Sequence, residues 1–132
     1  MYNIYFTVTS LDFNLDFSED ILDLALKPDL VRMRGSKDEK GRLAERNLIR
    51  FSRKNINPRD MESNFASFIQ DVFSFYEEIL NVIGIDERRS SFDIVGDIEL
   101  GSERPTLFFR QEIITYINKI GADFNIEIYR TD

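Results

Sequence analysis

Asp93, Asp97 and Glu99 share one parity along a stretch in which apolar and acidic residues alternate. Carboxylate oxygens suit a hard cation such as Mg²⁺ or Ca²⁺, and paired carboxylates can divide acid and base duties. On an extended strand, alternate residues stand almost 7 Å apart, from a rise of about 3.3 Å per residue. One strand therefore does not wrap an ion, and Glu127 or another acid from a neighbouring strand would have to complete a metal site with Asp93 and Asp97. The plainer expectation for the same residues is a solvated sheet face.

A second constellation is cationic. Residues 32–59 carry ten bases against three acids, a local charge of +7, between flanks of −5 (residues 1–31) and −9 (residues 60–132). Arg side chains present forks that match phosphates and carboxylates, so this segment is a candidate anion site. The alternative is that its bases pair with the acidic flanks after folding. The whole chain carries −7, which argues against nucleic acid as a partner.

What is missing excludes more. The 132 residues include no His, no Cys and no Trp. This removes catalytic triads, thiol nucleophiles, zinc fingers and haem or iron–sulfur ligation. Ser90, Ser91 and Ser102 have no imidazole to activate them. No phosphate loop, dinucleotide fingerprint or EF-hand pattern is found. No cofactor is called for, and the sequence points away from an enzyme. Without His, folding stability is expected to vary little between about pH 6 and 8.

The elements that must position these residues follow from periodicity. Asn3–Thr9 alternates, with Ile4, Phe6 and Val8 on one side, as a half-buried strand does. Residues 11–17 continue the alternation as strand or loop. Ser18 caps a short helix that Pro28 ends by Lys27. Leu30–Arg34 and Asn47–Arg53 read as two strands joined by a polar, mobile connection over residues 35–42. From Asp60 to Ile83 a 3.6-residue stripe runs through Phe65, Phe68, Ile69, Val72, Tyr76, Ile79, Leu80 and Ile83, with Gly84 as its stop. Phe73 and Phe75 lie off the stripe and either widen the core or form a patch for self-association. Phe92–Leu100 is a strand, Gly101–Pro105 a turn and Thr106–Phe109 a short strand. Arg110–Ile120 is a helix closed by Gly121, and Phe124–Tyr129 the last strand.

The expectation is one α+β domain over residues 1–132, a two-layer sandwich in the order β-α-β-β-α-β-β-α-β. Strands that alternate cleanly bury one face, so the helices cover one side of a mainly antiparallel sheet. The other side would carry Tyr5, Thr7, Asn125, Tyr129, Arg32, Arg34 and Arg50. Of these, Tyr5, Thr7, Arg32, Arg34, Arg50 and Tyr129 are the interface candidates, because exposed Tyr and Arg are favoured at protein interfaces.

The segment Thr106–Tyr129, with its helix, Gly121-Ala122 cap and alternating strand closing on Tyr129, resembles a family of small, mostly bacterial domains of unknown function. The Lys27-Pro28 exit and the Arg34-Gly35 turn extend that resemblance over nearly the whole chain. Family members often carry Trp in the strand after the basic turn, where this chain has Phe51. The resemblance implies a stand-alone intracellular domain and transfers no catalytic residue.

The function expected from the residues is non-catalytic protein binding, with an immunity-type inhibitor that neutralises a toxin as its specific form. A homodimer is the other protein partnership to weigh. The alternative is a binder or enzyme for a phosphorylated or anionic small molecule, using the basic 32–59 segment with Mg²⁺ assistance. The first residues have no basic n-region and no window holds eighteen unbroken apolar residues, so a cytoplasmic location without membrane contact is expected.

Overall fold

The computed structural model describes residues 2–11, 26–83, 90–100 and 109–130. Five strands form one sheet: β1 (Tyr2–Ser10), β2 (Leu30–Arg32), β3 (Asn47–Ile56), β4 (Ser90–Leu100) and β5 (Asp123–Arg130). Two helices, α1 (Met61–Ile83) and α2 (Gln111–Ile120), complete the described chain in the order β1-β2-β3-α1-β4-α2-β5. The architecture is α+β with a mixed sheet.

Strand order across the sheet is β2-β3-β1-β4-β5. β1 sits at the centre, antiparallel to β3 and to β4, and β2 is antiparallel to β3. β4 and β5 run parallel. A parallel pair needs a crossover of a dozen or more residues, and the connection containing α2 supplies it.

Alternation decides which face is buried. Along β1, Tyr2, Ile4, Phe6, Val8 and Ser10 are buried while Asn3, Tyr5, Thr7 and Thr9 are half-exposed. β4 repeats this, with Phe92, Ile94, Gly96 and Ile98 buried and Asp93, Val95, Asp97 and Glu99 half-exposed. The buried side meets Met61, Phe65, Phe68, Ile69 and Val72 of α1 and Ile113 and Ile120 of α2 in one core. Phe6 stacks between Phe51 and Phe92, with ring centroids 6.2 and 6.3 Å away.

α1 begins where the sequence signals it. Asn57 Oδ1 accepts from the Arg59 N–H at 3.0 Å, and Pro58 opens a single 3₁₀ turn, Pro58–Asp60, ahead of the helix. α2 ends on Gly121, whose φ of 71° is left-handed and whose N–H donates to the Asn118 carbonyl. Phe73 and Phe75 widen the core: both pack partly buried against it, and Phe73 stacks on Tyr116 at 4.5 Å.

Three expectations change. Residues 35–42, expected only as a polar connection, fold into a miniature hairpin in which Asp38 Oδ1 accepts from the Lys40 and Arg42 N–H groups and Lys37 bridges to Leu43. Leu26–Pro28, the expected end of a first helix, is not helical; the rest of that helix and the choice between strand and loop at 11–17 fall almost wholly outside the described residues. Of the Thr106–Phe109 strand only Phe109 is described, and it belongs to no strand. The Gly101–Pro105 turn and the Gly84 stop also lie outside the described residues.

Candidate protein-docking face

The half-exposed side of the sheet is assembled by register. Directly paired residues point the same way, so Leu30, Arg50, Thr7, Asp93 and Asp123 form one row across all five strands. Ser52, Tyr5, Val95 and Asn125 form the next, followed by Asn3, Asp97 and Glu127. Arg32, Leu48 and Thr9 flank one end, and Glu99 with Tyr129 the other. No described helix crosses these rows. Tyr5, Thr7, Arg32, Arg50 and Tyr129 therefore share the face expected of them. Arg34 does not: it lies beyond β2 in the hairpin turn, where its N–H donates to the buried Asn47 Oδ1 at 2.7 Å.

Arg50 is held on this face by both a carboxylate and an aromatic ring. Its Nη2 lies 3.1 Å from Asp29 Oδ2 and its Nε donates to Asp29 Oδ1 at 3.4 Å. Ser52 Oγ donates to Asp29 Oδ2 at 2.7 Å, and Lys54 Nζ stands 3.3 Å from it. The guanidinium carbon sits 4.9 Å from the centroid of the Tyr5 ring, a cation–π geometry. Burial alone would raise the Asp29 carboxyl; the hydrogen bonds from Ser52, Arg50 and Lys54 outweigh it and hold its pKa below the ordinary aspartate value. Asp29 is the residue that sequence reasoning missed. Twenty-one positions separate it from Arg50, and no periodicity links them.

The basic segment is to this extent neutralised by folding. Arg50 and Lys54 pair with Asp29, and Arg42 with Asp38. Arg53 reaches to the helix side, where it donates to Asp71 and to the Asn64 carbonyl at 3.1 Å each. Four of the segment's ten cations are thus engaged with carboxylates, Arg50 and Lys54 sharing the single charge of Asp29 and so keeping a net positive charge between them.

The acids gather on the other half. Asp93 stands beside Asp123 and Asp97 beside Glu127, like charges directly paired. Burial, joined by the charge of Asp123, raises the Asp93 carboxyl above its ordinary value. Desolvation and the charges of Asp97 and Glu99 raise the Tyr129 phenol above its ordinary value. The proposed metal trio is not brought together. Asp97 meets Glu127, but Asp93 is four residues away along β4, about 13 Å at strand rise. Among the described residues no group of three or more such side chains could hold a metal ion.

A cavity of about 470 Å³ opens between the first turns of α1 and α2, lined by Arg59, Glu62, Gln70, Phe109, Arg110 and Glu112 among others. Its lining charges are of mixed sign, and Arg110 Nε lies 3.7 Å from Glu62 Oε1. Among the described residues no helix is long and apolar enough to cross a membrane. Compared with protein-family models, with curated proteins and with solved structures, the chain matches none.

Proposed function

We propose that this domain is a non-catalytic protein-binding module that docks through the face of its sheet that no described helix crosses. The observation that carries the reading is the Tyr5–Arg50–Asp29 stack at the centre of that face. Tyr and Arg dominate the energetics of protein interfaces, and here the long Arg side chain is immobilised before any partner arrives. The usual loss of about 0.5–1.5 kcal/mol on ordering such a side chain is thereby reduced. Around the stack lie Thr7, Val95, Asn125 and Tyr129, half-exposed or exposed. They offer apolar surface with hydrogen-bonding groups at its edge, the composition of a docking surface.

The reading is tested by placing a photo-crosslinking amino acid at Thr7 or Asn125 on this face and at Ser74 on the exposed side of α1. Adducts to one defined protein from the two sheet positions, absent from Ser74, are expected. With that partner purified, Tyr5→Ala weakens binding roughly 10- to 100-fold. Equal crosslinking from Ser74, or none from Thr7 and Asn125, overturns the reading.

A further inference from the structure

The docking face carries both signs of charge, divided along β1. On one side stand Arg32, Arg50 and Lys54 with Asp29 among them; on the other stand Asp93, Asp97, Glu99, Asp123 and Glu127. β1 itself contributes only the uncharged Asn3, Tyr5, Thr7 and Thr9. A partner of one sign would match one half and oppose the other. A surface with the same two halves matches both.

Register fixes how such a match is made. Arg50 and Asp93 both pair with Thr7, so they stand at one height on either side of β1. Lys54 lies at the β3 irregularity opposite Asn3, whose other neighbour is Asp97. A two-fold axis in the interface, parallel to β1, brings Arg50 of one copy over Asp93 of the other and Lys54 over Asp97, each contact made twice. The alternative in-plane axis, across the strands, sets bases on bases and acids on acids. Strands of 9, 3, 10, 11 and 8 residues, at about 4.8 Å between strands and about 3.3 Å per residue, give a face of roughly 650 Å². Two such faces bury about 1,300 Å², within the range of specific stable interfaces. Half-exposed Leu30, Leu48, Tyr5 and Val95 supply apolar area between the charges, and sheets stack face to face at about 10 Å.

We infer that the occupant of this face is a second copy of the chain, bound about a two-fold axis along β1. The inference rests on the docking reading above and names its partner.

Sedimentation equilibrium of the full chain is expected to show a dimer at tens of micromolar, weakening as salt screens the paired charges. Lys54→Glu and Asp97→Lys each raise the dimer Kd at least about tenfold. An equimolar mixture of the two variants regains dimers within about threefold of the native Kd, because each charge again meets its opposite in both contacts. If Lys54→Glu disturbs the Asp29 cluster, as seen by circular dichroism, Asp93→Lys and Asp97→Lys, which lie across β1 from that cluster, carry the test by each raising the dimer Kd at least about tenfold. A native chain that stays monomeric at about 200 µM, single variants that dimerise like the native chain, or a mixture that fails to regain dimers overturns the inference. Monomers that still crosslink from Thr7 and Asn125 to a different protein overturn the second copy alone; monomers without such crosslinks overturn the docking face as well.

Discussion

Gly96 shows how closely the core fits around single residues. It lies on the helix side of β4, between Ile4 and Ile126 in the ladder. A Cβ built there would stand 2.9 Å from the Phe65 ring, itself fully buried and stacked on Phe109 at 6.3 Å. The ring cannot retreat without displacing its neighbour. Gly96→Ala is therefore expected to lower stability by about 1–3 kcal/mol through overpacking, measured by denaturant unfolding. Asp93 gives the opposite sign. Its folded-state pKa is raised, so ionisation at neutral pH costs stability; that cost shrinks as pH falls through the folded pKa and is gone below the ordinary aspartate value. Asp93→Asn should stabilise the domain by roughly 0.2–1 kcal/mol at pH 7 and show no gain below the ordinary aspartate value. A loss of stability at pH 7 would contradict the like-charge pairing with Asp123.

Among the elements, α1 carries the most core. Phe68 is 1% exposed on its inner stripe, and Phe68→Ala is expected to cost about 3–5 kcal/mol in the same unfolding measurement. The stripe was legible because Phe65, Phe68, Ile69 and Val72 recur at helical spacing, and β1 and β4 because their apolar residues alternate. Two features of the sheet were not. The parallel pairing of β4 with β5 leaves no trace in either strand's own pattern; it follows from where α2 returns the chain. The anchoring of β2 depends on Asp29, whose partners Arg50, Ser52 and Lys54 are remote in sequence. The folded-state pKa of Asp29 is depressed, so the stability this cluster contributes is present above the ordinary aspartate range near pH 4 and lost as pH falls through the folded value. Asp29→Ala is expected to cost on the order of 1 kcal/mol at pH 7 and to speed amide exchange selectively in residues 26–32. Unchanged exchange there would remove Asp29 as the anchor of that edge.

For the whole molecule, charge is the organising quantity. The +7 of residues 32–59 was plain in the sequence; its fate was not, because the carboxylates that meet Arg50, Arg53 and Lys54 come from Asp29 and Asp71 on either side of the segment. What charge remains is laid out across the sheet surface that no described helix crosses, acids on β4 and β5 and bases on β2 and β3. With no His in the chain, thermal unfolding should shift little between about pH 6 and 8; a steep change there would contradict it. The absence of Cys allows a direct probe of the surface itself, since any introduced thiol is unique. In dilute solution, Thr7→Cys should react with a maleimide at close to the rate of an exposed thiol. Val8→Cys, one residue along β1 and fully buried on the helix side, should react on the order of 100-fold more slowly. Equally slow labelling at both positions in the monomer would mean that the surface around Thr7 is closed.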